Sequence, residues 1–348
     1  MTRTIDFRYH VVRNGANYCE LHAQKGAEPK ILMDDSSAIK TKLSGSFLFP
    51  GEDVNWLTDE IRPVMIIDGV EHHLGVFLPA NVSETETDTA RRVSIDSYDR
   101  GWIVQDHRTE HALYFPAGMN YLTAVGSVLT ECGITLISSV PTDETLAEDR
   151  ADWDIGTSSL DIVNQLLSEI NYEELWFDQD GMAILEPKTT PTANNVKHIL
   201  DEESVESLMI PGIRKDTDFH SAPNVFICVC SNADKDSAMV AIAENTNPQS
   251  PLSIARRGRR ISALVQVDNI ASQAELQSYA DRMVTDSLLK GEVLSVTTCL
   301  MPGYGVGDTA ALRYGEISSI CKVKRWSMDL KVGGRMAITL ERVVLNLD

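Results

Sequence analysis

The residues best spaced for chemistry are His107-Arg108-Thr109-Glu110-His111. An H-x-x-E-H pattern holds zinc in one class of peptidases when it lies on a helix. Both imidazoles then share a face one turn apart, with the glutamate beside them. The flanks oppose a helix here. Trp102-Ile103-Val104 on one side and Ala112-Leu113-Tyr114-Phe115-Pro116 on the other read as β-strands, with the polar residues at a turn. A pattern fixed at so few positions also arises by chance. The expectation is an exposed hairpin tip, not a zinc centre.

Other candidates fail on context. Gly303-Tyr304-Gly305-Val306-Gly307 looks like a phosphate loop, but a strand follows it and no lysine stands near. It is expected to be a tight turn. Asp178-Gln179-Asp180-Gly181 hints at a calcium loop, yet Pro187 falls where the bidentate glutamate should be. A hairpin turn is expected there too. Cys19 and His22 could pair as nucleophile and base, but nothing else marks a site around them, and no G-x-S-x-G occurs. Trp56, Trp102, Trp153 and Trp176 could line a sugar cleft, and core packing explains each of them as well. No catalytic, cofactor-binding or metal-ligating residue is assigned.

The remaining constellation is Arg256-Arg257-Gly258-Arg259-Arg260, the one basic cluster in a chain of formal net charge −20. It reads either as a solvated β-turn or as a docking patch for carboxylates of a neighbouring subunit, which guanidinium forks suit. Arg256, Arg257, Arg259 and Arg260 are the interface candidates. Nucleic-acid contact is the weaker reading, because no aromatic residues interleave with the cluster. The acidic balance also opposes a protein that wraps nucleic acid with affinity.

At 348 residues, two or three domains are expected, and the 43% apolar fraction suffices for real cores. No run approaches the roughly 18–20 apolar residues that span a bilayer, so stable membrane insertion is not expected. Met1-Thr2-Arg3-Thr4-Ile5-Asp6 lacks the apolar core of a signal peptide. The chain is expected to stay where it is made, or to leave as part of something larger. The six cysteines are scattered without a C-x-x-C, which points to free thiols. Cys228 and Cys230 share one face of the strand Val225–Cys230, as core or interface cysteines do.

The elements that would position any site fall into three blocks: 1–97 mostly β, 98–205 mixed, and 206–348 β again with one inserted helix at 272–290. In the first block Asp68-Gly69 closes a hairpin between Val64–Ile67 and Val70–Phe77. The acidic Glu84–Asp88 is expected to be a loop before a strand at Arg92–Tyr98. In the second, Asn120–Cys132 and Ser158–Ile170 carry helical apolar spacing, and Glu174–Asp178 pairs with Met182–Leu185 around Asp180-Gly181. An acidic linker, Thr142–Asp154, joins the two helices. In the third, Ser272 and Glu275 form a capping box and Gly291 ends the helix. Leu294, Val296, Thr298 and Leu300 then face one way along a strand, and Thr309–Tyr314 returns after the glycine turn. Met328, Leu330 and Val332 alternate up to Gly333-Gly334, and Met336, Ile338 and Leu340 alternate away from it.

The order of these features resembles a known family. Asn247-Pro248-Gln249-Ser250-Pro251-Leu252 through Gly258-Arg259-Arg260, the Ala271-Ser272-Gln273 helix start and the Val306-Gly307-Asp308 turn are similar to the C-terminal part of phage tail and baseplate hub proteins. These are the hubs of PBSX-type prophages and phage-tail-like bacteriocins, related in fold to the VgrG base of secretion spikes. Ile39–Phe47, Asp53–Pro63 and Leu74-Gly75-Val76-Phe77 agree in the first block. Ser97-Tyr98-Asp99-Arg100, Phe115-Pro116-Ala117-Gly118 and the Trp176–Leu185 hairpin agree in the second. The resemblance spans nearly the whole chain and rests on the order and spacing of turns and caps.

The resemblance implies an α+β, mainly β fold. Two β-barrel tube domains, 1–97 and 206–348, would flank a smaller α+β domain at 98–205. It implies no enzyme and no cofactor, but a structural hub. Three copies would form a ring with a central channel, joining a six-fold tail tube to a three-fold spike or tip. The implied partners are other copies of the chain, the tail tube protein, a spike or tail-tip/fibre protein and the tape measure protein. DNA would pass through the channel without specific binding, and the acidic side chains would either line it and keep phosphates sliding or simply solvate the outer surface. The implied location is a virion or tail-like particle assembled in the bacterial host cytoplasm. The alternative is a tail-associated protein that binds or hydrolyses the cell wall.

Overall fold

The computed structural model describes residues 3–49, 51–87, 90–204, 208–216, 222–230, 239–248, 250, 252–267, 273–289 and 292–342. The chain is mostly β. Eight strands come first: β1 (Ile5–Arg13), β2 (Ala16–Ala23), β3 (Lys30–Asp34), β4 (Thr41–Leu48), β5 (Glu60–Ile67), β6 (Val70–His73), β7 (Phe77–Thr87) and β8 (Ala90–Asp99). A mixed region follows with α1 (Gly101–Asp106), α2 (Tyr121–Glu131), β9 (Ile137–Ser139), α3 (Ser159–Glu169), β10 (Trp176–Phe177) and β11 (Ala183–Leu185). Next come β12 (His198–Asp201), β13 (Met209–Asp216), β14 (Val225–Cys230), β15 (Met239–Glu244), α4 (Ile254–Arg257) and β16 (Ser262–Gln266). The chain continues through α5 (Gln273–Leu289), β17 (Val293–Cys299), β18 (Thr309–Tyr314), β19 (Ile317–Asp329) and β20 (Arg335–Arg342).

The chain divides into two compact units. The first holds residues 1–190, 298–307 and 324–338; the second holds 191–297, 308–323 and 339–348.

In the first unit the strand pairings return on themselves. β4 pairs with β2, β2 with β1, β1 with β5, β5 with β7, β7 with β8, and β8 again with β4. Alternation sets the inner face: Val11, Leu21, Leu43, Phe47, Ile61, Met65, Phe77, Val93 and Ile95 are all buried. The Asp68-Gly69 hairpin forms as expected, with both residues at positive φ (50° and 87°), as a type I′ turn requires. Glu84–Thr87 lie within β7, whose pairing with β8 runs on to Thr87↔Ala90. The expected acidic loop is therefore strand over those residues, since a long hairpin satisfies its backbone and leaves the carboxylates in water.

The mixed region of this unit packs α1–α3 over a small sheet in the order β10-β11-β9. Asn120, expected as the first helical residue, instead caps α2, its Oδ1 accepting from the amides of Leu122 (3.0 Å) and Thr123 (3.3 Å). Val125, Val128, Leu129, Leu160, Val163, Leu166 and Leu167 form the core between the helices. One expectation fails here. Trp102-Ile103-Val104 lie in α1 and not in a strand, because Asp99 accepts from the Gly101 amide (2.8 Å) and starts a helical turn. The Ala112–Phe115 flank makes only an isolated bridge, Phe115 to Arg150.

In the second unit β14 is central, antiparallel to β15 and parallel to β16. α5 packs on one face of this sheet, burying Leu276 and Ala280 against Cys228, Cys230, Ala241 and Ala243. Elsewhere in the unit β12 pairs with β18, and β18 with the first part of β19. Two buried carboxylates brace the strand ends. Asp308 accepts from Lys197 Nζ (2.7 Å) and His198 Nε2 (2.8 Å), and Glu292 pairs with Lys215 and with Arg342 Nη1 (2.7 Å). The alternation of Leu294, Val296, Thr298 and Leu300 inward is as expected. That of the last hairpin stops at Leu330, and Val332 is 74% exposed beyond the strand end. Ser272, Gly291 and the 343–348 terminus lie outside the described residues, so the capping box and glycine stop proposed for α5 do too.

Candidate assembly surfaces

The arginine cluster begins in the one-turn helix α4, which holds Arg256 and Arg257, and Arg259 and Arg260 follow its Gly258 cap. Ser253 Oγ accepts from the Arg256 amide (3.3 Å), and Gly258 at φ 64° closes α4 with its amide on Ile254 O (2.9 Å). Buried Asn224 organises this turn from beneath. Its amide group donates to Leu252 O (3.3 Å) and Arg259 O (3.0 Å), and its Oδ1 accepts from the Ile261 amide (2.7 Å).

The four arginines then part company. Arg257 donates inward to Ala222 O. Arg260 forks onto both Glu244 oxygens (3.0 and 2.5 Å), which holds that carboxyl below its usual pKa. Arg256 Nε donates to Pro248 O (2.9 Å). Arg259 is exposed, and among the described residues its guanidinium has no partner. Arg256 and Arg259 thus keep positive charge unmatched by a paired carboxylate among the described residues, whereas Arg257 is structural.

Beside them lies an apolar surface that the sequence reading did not single out. On the sheet face opposite α5, Ile227 stands between Ile242 and Leu264, and Val229 opposite Val240. Leu264 is 67% exposed, Ile242 50% and Val240 47%. The outer edge of β15 is not open for strand pairing: Gln273 and Gln277 of α5 donate to the carbonyls of Val240 (2.9 Å) and Ile242 (3.2 Å). The signal was present in the sequence. Both faces of Val225–Cys230 are apolar, but one helix can cover only one of them.

The other sequence candidates are taken apart by the fold. His107 ends α1, and its Nδ1 is 2.7 Å from Ser159 Oγ. His111 is exposed and lies 3.9 Å from Glu131. The segment between them is not helical, Thr109 is buried on Asp154 O (3.1 Å), and the imidazoles engage different partners. Asp178 Oδ1 accepts from the amides of Asp180 and Met182 (2.9 Å each), so the calcium-like loop is a hairpin turn. Residues 303–307 form a turn that buries Tyr304 and Val306. Cys228 and Cys230 are core, and burial raises the Cys19 and Cys228 thiols above their usual pKa. All six cysteines are free.

Within the first unit one open cleft of about 610 Å³ is lined by Lys40, Lys42, Tyr98, Trp102, Gln105 and Asp106, among others. Tyr98 and Trp102 rings stand 6.1 Å apart in a tilted pair. Lys40 is committed to Glu174 Oε2 (2.5 Å) and Asp35 O (2.7 Å). Beneath this cleft, the Tyr98-Asp99-Arg100 run is a joint. Asp99 Oδ2 takes the Thr41 amide (2.7 Å), while Arg100 grips Glu60 with two bonds (2.8 and 2.9 Å) and Gly181 O with a third (3.0 Å).

No protein-family model matches the sequence, and no curated protein does. Solved structures do share the fold. The prophage MuSo2 43 kDa tail protein from Shewanella oneidensis superposes with a TM-score of 0.69 at 11% identity, over 98% of this chain and 99% of its own. The tail protein from Neisseria meningitidis MC58 gives 0.68 at 13% identity, over 96% of both chains. The E. coli c3393 protein is described as a component of the type VI secretion system with structural similarity to T4 tail proteins gp27 and gp5. It gives 0.57 at 9% identity, over 96% of this chain and 76% of its own. The structural neighbours are thus phage tail and baseplate proteins, in agreement with the hub resemblance carried by the sequence motifs.

Proposed function

We propose that this chain is the structural hub of a phage tail or tail-like particle, three copies of which form a ring between a six-fold tube and a three-fold spike or tip. The observation that carries the reading is the sharing of one fold, nearly end to end, with two tail proteins, one of them from a prophage. The closed circuit of strand pairings in the first unit supports a tube-type barrel, because a closed sheet has no open edge. The 1–97 and 206–348 segments would supply the two tube domains of each copy, with 98–205 outlying. The tail tube, spike or tip, and tape measure proteins are the proposed partners, and the acidic balance of the chain suits a channel past which DNA slides.

Native mass measurement and pull-down with the tail tube protein test this reading. A trimer, or capture by tube protein, is the expected result. A chain that stays monomeric at tens of micromolar and ignores the tube protein overturns it. Metal analysis addresses the enzymatic alternative: zinc bound one to one and lost on His111→Ala would replace the hub with a peptidase. The cleft at Tyr98 and Trp102 is where a cell-wall-binding alternative would reside, and binding of peptidoglycan fragments that is lost in Trp102→Ala would support it.

A further inference from the structure

The apolar face of the β15-β14-β16 sheet has a counterpart elsewhere on the same chain. The segment between β4 and β5 presents Leu57 with 91% of its surface exposed. That loop is not loose. Arg13 forks onto buried Asp59 (2.8 and 2.6 Å) and also holds Asp53 O (2.9 Å). Asp59 takes the Asn55 amide (2.8 Å), and Asn55 Oδ1 takes the Leu57 amide (3.2 Å). Trp56 is tied to Glu84 on β7 through its indole N–H (3.2 Å). These bonds brace the backbone around Leu57, whose apolar side chain stands in water beside the partly buried Trp56. One exposed leucine is ordinary on a surface, but in a braced loop with an acidic flank it is a candidate contact for a complementary apolar face.

The rims are complementary. Exposed Glu52 and Asp53 share the loop with Leu57, and Glu84 of β7 holds the neighbouring Trp56, while Arg256 and Arg259 stand at the end of the apolar face where β14 and β16 begin and β15 ends. In a chain of net charge −20, two copies repel generally, so a cationic rim beside an apolar face is where an acidic neighbour can approach. We propose that the occupant of this face is a second copy of the chain: the Leu57 loop of one copy docks on Ile227, Ile242 and Leu264 of the next, with Arg256 and Arg259 meeting its Glu52 and Asp53. The two surfaces differ, so the contact is head-to-tail. Such contacts close into rings when the rotation per copy permits. This inference rests on the ring reading above and assigns it surfaces.

The test is sedimentation velocity and native mass measurement of the full chain. Leu57→Asp and Leu264→Glu should each weaken self-association at least 100-fold. Mixed together, they should form one-to-one heterodimers, because the Leu57→Asp copy keeps an intact sheet face and the Leu264→Glu copy keeps an intact knob. Leu57→Ser and Leu264→Thr, with circular dichroism and melting, control for folding. Trimers that survive both charged substitutions overturn the surfaces while leaving the ring. Variants that dissociate without complementing each other overturn the head-to-tail arrangement. A wild-type chain that is monomeric at tens of micromolar overturns both.

Discussion

Arg100 and Glu60 meet through two parallel N–H···O bonds of 2.8 and 2.9 Å, and a third bond carries Arg100 Nη1 to Gly181 O. Both side chains are largely covered, 19% and 15% exposed. The pair joins the N-terminal strands to the β10–β11 hairpin, and does so just where β8 hands over to α1. Arg100→Ala would leave the Glu60 carboxylate covered and unpaired, which costs about 3 kcal/mol at such sites. The expected result is a lower melting temperature, only partly restored by the double variant Arg100→Ala with Glu60→Ala. Unchanged melting of Arg100→Ala would remove this joint from the account.

Asp99 sets a pH dependence. Burial pushes its carboxyl up to about 6, more strongly than the Gly101 and Thr41 amides pull it down. Between about pH 4 and pH 6 the folded chain keeps a proton that an unfolded aspartate has released. This contribution therefore favours folding in acid and is lost as pH rises through that window, by at most about 3 kcal/mol. Asp59 runs the other way, held low first by its bonds from Arg13, so its stabilisation is lost as pH falls. A difference measurement isolates Asp99. From pH 4 to 7 the gap between wild type and Asp99→Asn should shift in favour of the variant by about 1–3 kcal/mol in urea unfolding. A gap that stays constant contradicts the assignment.

The arginine cluster should separate into two phenotypes. Arg257→Ala removes the donor to Ala222 O in a packed turn and should lower stability by about 1–2 kcal/mol without a direct effect on association. Arg259→Glu leaves the fold intact, because no described side chain depends on it, and should weaken association instead. Melting and native mass on the same two proteins read both effects. A stability loss in Arg259→Glu equal to that of Arg257→Ala would show that the cluster acts as one structural unit.

These features were unequally legible in the sequence. The Asp68-Gly69 hairpin and the helix within Asn120–Cys132 could be read because the determinants are local: a turn dipeptide needing positive φ and an apolar spacing that repeats along one face. α1 could not, because Trp102-Ile103-Val104 has strand propensity and the helix depends on Asp99 reaching the Gly101 amide and on burial of Val104. The fate of the arginines was equally hidden. Whether Arg257 turns inward and Arg259 outward is decided by Asn224 and Ala222, some 35 positions earlier in the chain. The docking face was half visible, as a strand apolar on both sides. The sequence alone did not reveal that one helix covers only the cysteine side.

Gly181 offers a last test of the joint beneath the cleft. Its φ is 76°, and a Cβ there would come within 2.9 Å of Val76 Cγ2 and 3.0 Å of Val76 Cβ. Gly15, at φ 78° in the β1–β2 turn, has open space where its Cβ would be. Both positions impose the same backbone strain on alanine, on the order of 1 kcal/mol. Only Gly181→Ala adds a clash with a β-branched neighbour and displaces the carbonyl that Arg100 holds. Its destabilisation should exceed that of Gly15→Ala by about 1–2 kcal/mol in denaturant unfolding. Equal losses would mean that the β10–β11 turn yields freely, and that Arg100 does not fix it to the strands.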